Sequence, residues 1–358
     1  MHTSNIERAE KFAIEMGMKC PVLLGPMAGA CPVGLSIAVA KGGGMGACGA
    51  LLMQPDAIKQ WAAEFRAATD GPFQLNLWIP DAAPRRNASH ENELRAFLRG
   101  WGPEVSTEAA IEAPPDFESQ CHALLEVEPP VISSIMGLFD AYFVKQMKAK
   151  GIKWYANVTT VAEAIEAEAA GADVVVAKSF EAGGHSGAFK PEDATRFGVG
   201  AISLVPAIAN AVDLPIVATG GIADGRTAAA VLLLGASAVQ IGTGFLRATE
   251  STIPSAWSEA IANARPEDTI VTKAYSGRAG RSIATKYAIA MEAADSPEPA
   301  PYPIQRGLTQ VMRTAAVKEN RIESMQAWAG QSAGMAQSYS ATKITQEVWN
   351  SVRAALGS

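Results

Sequence analysis

The amino-acid sequence predicts an α/β chain folded as a (β/α)8 TIM barrel, and three observations carry that prediction. Eight short apolar runs, rich in Val and Ile or in small residues, recur along the chain, and most are followed by a helical pattern. Such runs mark parallel strands buried on both faces. They occupy roughly 250 residues, the usual size of a closed barrel. The last two runs each end in a glycine-rich turn, where barrels commonly hold a phosphate. An open doubly wound sheet is the alternative, because strand order is not written in a single sequence.

The strands expected in order are Val22–Met27, Gly44–Cys48, Phe73–Trp78, Val131–Met136, Lys153–Val158, Val174–Lys178, Pro215–Gly220 and Ala238–Gly242. Between them lie helical stretches such as Val161–Gly171 and Arg226–Gly235, each closed by a glycine suited to a helix C-terminus. Residues 80–130 interrupt the alternation after the third strand, with Pro-containing patches at Pro80–Pro84 and Ala113–Pro115 and a helical stretch at Glu91–Arg99. An insertion at the C-terminal end of a barrel strand overhangs the mouth, so this segment is a candidate lid or wall. We expect the barrel to occupy residues 1–272. Residues 273–358, with Ser276-Gly-Arg-Ala-Gly-Arg281 and a Pro-rich linker at 296–303, are expected to form a small helical subdomain packed on it.

Bulk composition narrows the partners. The 358 residues are 48% hydrophobic and 18% charged, with a formal net charge of −6, which supports a sizeable core. No basic run marks a nucleic-acid or anionic-membrane surface. Nor does any apolar run reach the roughly 18 residues that span a bilayer. The first residues lack the layout of a secretory signal, so the expected compartment is the cytoplasm. Self-association into a homo-oligomer is left open. The four cysteines form no C-x-x-C pair, and no His, Asp or Glu stands at ligand spacing from His185, so no metal site is expected.

Three groups of residues carry chemistry. Val217-Ala-Thr-Gly-Gly-Ile-Ala-Asp-Gly225 sets Gly220 and Gly221 at a strand end just before a helix, and Gln240-Ile241-Gly242-Thr243 repeats the arrangement one unit later. Glycines let backbone N–H groups close on an anion, and the helix N-terminus adds partial positive charge. A phosphorylated metabolite fits such a grip as well as a cofactor does. Gly25-Pro26-Met27-Ala-Gly29 offers an apolar turn for a flat ring, and Asn76 is a polar side chain within a strand, placed to bond a ring edge. The sixth strand leads into Glu181-Ala-Gly183-Gly-His185-Ser-Gly187, which puts an imidazole on the catalytic rim among glycines. Histidine is the side chain that titrates nearest neutrality, as a proton-abstracting base requires.

Taken together and in order, these motifs resemble the nitronate monooxygenase family, formerly called 2-nitropropane dioxygenase. The likeness runs from about Pro21 to Gln331, and flavin-dependent enoyl-acyl-carrier-protein reductases and NADH:quinone reductases share much of it. The resemblance implies a non-covalent FMN and the oxidation of alkyl nitronates or nitroalkanes by O2 to carbonyl compounds and nitrite. It further implies that Pro26, Met27, Asn76, Lys178, Gly183, Gly220, Gly221, Gln240, Ile241, Gly242 and Thr243 surround the cofactor. His185 would take the α-proton of a neutral nitroalkane or position a nitronate. The alternative is an FMN-dependent NAD(P)H reductase of an enoyl thioester or quinone. In one departure, Lys178-Ser179 stands where the family carries glutamine and glycine. In another, Ile132–Gly137 lacks the aromatic residues of close relatives.

Overall fold

The computed structural model describes residues 4–109 and 114–357. Ala113 of the second Pro-containing patch, and the first three residues of the segment read for a secretory signal, lie outside them. All eight expected strands form: β1 (Val22–Leu24), β2 (Gly46–Gly49), β3 (Phe73–Trp78), β4 (Val131–Ile135), β5 (Lys153–Val158), β6 (Val174–Lys178), and then β8 (Ile216–Thr219) and β9 (Ala238–Ile241). Between β6 and β8 lies a two-residue strand, β7 (Gly184–His185). The large sheet runs β1-β9-β8-β6-β5-β4-β3-β2, parallel throughout, and a bridge between Leu23 and Met45 joins its two edges into a ring. This is the (β/α)8 barrel.

Alternation along each strand divides the core in two. Outward residues such as Leu24, Leu75, Ile132, Ala156, Val175, Ala218, Val239 and Ile241 pack against the surrounding helices. Inward residues Leu23, Met45, Val131, Tyr155, Val174, Val176, Val217 and Ala238 fill the lower interior, where Phe12 and Ala13 of the helix Asn5–Glu15 join them. Each Val, Leu, Met or Phe among them, fully buried, contributes about 1.5–3 kcal/mol. Toward the C-terminal ends of the strands the inward positions turn polar: Gln74, Asn76, Ser133, Lys178, Thr219 and Gln240 are all buried. The floor of the barrel is thus apolar and its mouth is not.

Residues 80–130 divide between two tasks. The helix Phe117–Val127 packs on the helix Pro55–Ala68 and takes a regular place in the outer ring. Ahead of it, the helix Ala88–Leu98 packs through Leu94 and Leu98 with Tyr287, Ile304, Leu308 and Met312 in a second core beside the barrel. The segment from 273 also divides. A hairpin of β10 (Thr269–Thr272) and β11 (Gly280–Ile283) straddles the expected boundary at 272 and pairs with β7 in a small antiparallel sheet. The helices Lys286–Met291, Ile304–Leu308 and Gln310–Lys318 build the second core. The helix Ala341–Leu356 instead returns to the ring, lying between Val33–Lys41 and Gly225–Leu233. Its approach is close enough that a Cβ on Gly225 would overlap Ser351. No helix among the described residues is long and apolar enough to cross a membrane.

Candidate active site

A cavity of about 480 Å³ opens at the C-terminal ends of the strands. Of the expected site residues, Pro26, Met27, Asn76, Lys178, Gly183, His185, Gly220, Gly221, Gln240, Gly242 and Thr243 line it. Ile241 does not: its side chain turns outward into the core between strand and helices, while Gln240 beside it points in. Successive strand residues face opposite ways, so a contiguous run of four could not all face the cavity.

The glycine turns supply an anion grip. Gly220 and Gly221 both have positive φ, 104° and 70°, which leaves the turn free to expose its amides. The backbone N–H groups of Gly221, Ile222 and Gly242 donate to no group among the described residues. An array of unpartnered N–H groups beside a cavity is a ready anion receptor. The following helix contributes less than its position suggests, because the Asp224 carboxylate already accepts from Thr227 N at 2.9 Å. The turn amides, rather than the helix N-terminus, are the donors left free to meet an anion.

Between grip and histidine lies a polar rim that fits a flat, hydrogen-bonding ring. The Asn76 amide donates to Ser133 O (3.1 Å) and Ser133 Oγ (2.9 Å), leaving its oxygen as a free acceptor. Gln240 accepts from Gln74 Nε2 at 2.9 Å, leaving its own NH2 as a free donor. Met27 and the 25–30 turn close the apolar side. Thr243 Oγ1 accepts from Gly330 N at 3.0 Å, tying the later segment across the mouth. Gly183 makes that tie possible, since a Cβ there would sit 2.6 Å from Gly330 N.

His185 stands in an aromatic slot. Its ring lies 4.5 Å from Trp78 and 4.8 Å from Trp328, and Nε2 bonds Ser276 Oγ at 2.7 Å. Burial first, then the cations Arg278, Arg306, Lys178 and Arg313, push its pKa down to about 3, so the imidazole is neutral at physiological pH. Three of these cations come from the segment beyond 273, and two of them, Arg306 and Arg313, lie in no stretch singled out in the sequence. Arg306 and Arg313 lie on adjacent short helices of the second core and face the cavity. Arg313 is held by Thr309 Oγ1, Gln326 Oε1 and the Arg306 carbonyl. The Arg306 guanidinium makes no hydrogen bond or ion pair among the described residues. Among the described residues no carboxylate lines the cavity beside these arginines and Lys178.

Lys178 ends β6 with its side chain buried, donating from Nζ to Gly183 O at 3.3 Å. Burial and the nearby Arg281 lower its pKa from 10.5 to about 8. Below about pH 8 the folded protein bears the cost of a buried ammonium. Between about 8 and 10.5 only the unfolded chain holds that proton, so stability rises with pH across this window. In the ligand-free protein, Lys178→Gln is therefore expected to raise the unfolding free energy at pH 7 by up to about 3 kcal/mol. Denaturant titrations at pH 7 and above pH 10 check this: the gap between variant and parent must shrink as pH rises, and a constant or growing gap refutes it.

A parallel barrel with an anion grip on its last two strands, a polar ring-sized rim and a buried imidazole defines a flavin-dependent oxidoreductase of the (β/α)8 class. The nitronate monooxygenase family model matches residues 10–350, and the chain belongs to that family. It is 33% identical to a nitronate monooxygenase of Paraburkholderia phytofirmans, over 93% of this chain and 92% of that one. It is 32% identical to a probable nitronate monooxygenase of Staphylococcus aureus strain Newman, over 94% and 95% of the two chains. Among solved structures it resembles a nitroalkane oxidase from Streptomyces ansochromogenes (TM-score 0.87, 31% identity, 96% of this chain and 99% of that one). It also resembles FabK from Thermotoga maritima (TM-score 0.74, 28% identity, 97% and 96%).

Proposed function

We propose that this protein binds FMN and oxidises alkyl nitronates, with molecular oxygen as the terminal oxidant, to carbonyl compounds and nitrite. The observation that carries the substrate is the charge of the cavity: Lys178, Arg306 and Arg313 line it, and no carboxylate among the described residues does. A site with cations on two walls and low-dielectric surroundings favours an anion over its neutral parent. A single phosphate in place of a dinucleotide suits the grip, whose free amides lie on two adjacent turns. The flavin, when bound, supplies the electron transfer between substrate and oxygen.

The remaining work falls to the chain's own residues. Arg306, with no partner of its own, receives the nitronate oxygens. Trp78 and Trp328 confine the alkyl group and shield it from water. His185 Nδ1 has no partner among the described residues, whereas Nε2 is occupied by Ser276. For a neutral nitroalkane, Nδ1 accepts the α-proton, and the cationic wall stabilises the anion that forms. With a preformed nitronate no proton need move.

The deciding experiment is anaerobic mixing of the yellow protein with propyl nitronate and, separately, with NADPH. Rapid bleaching by nitronate supports the proposal. Bleaching by NADPH alone, with none by nitronate, favours the NAD(P)H reductase reading that the likeness to FabK keeps in view. The role of Arg306 has its own test. Arg306→Met is expected to raise KM for propyl nitronate by about 10- to 100-fold, with smaller change for nitropropane and unchanged flavin content. An equal rise in KM for the charged and the neutral substrate would remove Arg306 from nitronate recognition.

A further inference from the structure

Ser276 lies in the turn between β10 and β11, 91 residues from His185 in sequence, and is almost fully buried. Three features lock the two side chains together. The register of the small sheet pairs Gly280 with His185 and Arg281 with Gly184, and Ser186 N donates to Ala279 O at 2.9 Å. Arg278 then reaches back, its guanidinium pairing with Asp81 after β3 and donating to Ala188 O on the histidine loop. The turn itself is tight: Gly277 has φ +84°, and a Cβ there would overlap the Ala300 carbonyl.

The Ser276 hydroxyl has one hydrogen and two neighbours that can take it. Arg278 O lies 3.1 Å away and His185 Nε2 lies 2.7 Å away, while Arg278 N approaches at 3.4 Å as a weak donor. Arg278 O accepts no other hydrogen bond among the described residues. If the serine donated to the imidazole, that buried carbonyl would be left unpaired, an arrangement native interiors avoid. If it donates to Arg278 O, the imidazole must supply the hydrogen of the 2.7 Å bond, and every group is satisfied. Burial and the cations around the ring keep it neutral, so only these two tautomers compete.

We infer that Ser276 is a positioning residue that fixes His185 as the Nε2–H tautomer, presenting the bare Nδ1 to the cavity as a proton acceptor. The same ring without Ser276 can flip tautomer and offer an N–H instead, which binds an anion but cannot take a proton. The serine thereby sets which half of the imidazole chemistry is available. Its consequence for turnover rests on the proposed nitronate and nitroalkane reading; the tautomer does not.

Nitrogen-15 NMR of the flavin-loaded protein with labelled histidine reads the tautomer directly, the His185 signals being those lost in His185→Asn. At neutral pH, Nε2 is expected to carry the proton and Nδ1 to be bare. A protonated Nδ1 with a bare Nε2 overturns the inference without bearing on which substrate the enzyme takes. Ser276→Ala should mix or reverse the tautomers, and Ser276→Thr, which keeps the hydroxyl, should restore the parent spectrum. With Ser276→Ala, kcat for nitropropane should fall about 10- to 100-fold while KM for propyl nitronate and flavin content stay within about twofold. An unchanged tautomer in Ser276→Ala would remove the serine from this role. Should that variant fail to fold, the spectrum of the parent protein still decides the tautomer.

Discussion

Replacing His185 with asparagine should cut turnover of a neutral nitroalkane by about 10²- to 10⁴-fold and that of the preformed nitronate by no more than about tenfold. Asparagine preserves a polar side chain of similar reach but cannot accept a proton from carbon. The asymmetry follows from the charges around the ring. An imidazole whose pKa lies at about 3 is a weak base on its own account. The nitronate that forms beside it is an anion among Lys178, Arg306 and Arg313, and stabilising that anion offsets the weakness of the base. Oxygen consumption with each substrate, at matched flavin content, measures the two losses. Equal loss on both would mean that His185 orients substrate and moves no proton.

The second large effect is expected at Gly220. Its φ of +104° lies where a side chain is strained, and a Cβ would fall on Ser179 Oγ and 2.9 Å from the Ala182 backbone nitrogen. Gly220→Ala must therefore move the turn that presents the amides of Gly221 and Ile222. Flavin retention should fall by at least about 100-fold, and the protein should lose about 2–4 kcal/mol of stability, the sum of strain and overpacking. Gly29→Ala separates the two contributions, because Gly29 also has positive φ (+78°) but nothing lies within 4 Å of its missing Cβ. That control should cost about 1 kcal/mol and keep its flavin. Flavin absorbance after gel filtration and denaturant titration read both quantities. If Gly220→Ala retained flavin as Gly29→Ala does, the turn would not be the phosphate grip.

The contrast between what could and could not be read from the sequence has physical causes. The barrel was legible because a strand buried on both faces must be almost wholly apolar: Val174–Lys178 and Lys153–Val158 match their expected bounds to the residue. The glycine turns were legible because only glycine tolerates their backbone. Ile241 misled because adjacency in a motif is not adjacency in space. The expected helix N-terminus proved to be filled by Asp224, a residue inside the motif itself. Arg306, Arg313 and Ser276 carried no local signal at all. The two arginines reach the cavity through a second core in which Leu94 and Leu98, from the segment after β3, meet Ile304, Leu308 and Met312, about 200 residues on. The two-residue β7 is too short for any periodicity, yet its pairing is what brings Ser276 to His185.

The helix Ala341–Leu356 has a consequence for how the protein is made. All eight barrel strands leave the ribosome before it does, since β9 ends at Ile241. Its buried face (Ile344, Val348, Trp349 and Val352) packs over Val33–Lys41, and Thr342 Oγ1 bonds Ala38 O at 2.7 Å. The intervening stretch of roughly a hundred residues takes about 5–20 s to synthesise. For that interval the nascent barrel carries an open apolar seam down one side, between the helices Val33–Lys41 and Gly225–Leu233, which flank the missing helix in space. A chaperone that captures the nascent chain would act in that window, and release should follow the emergence of this one helix.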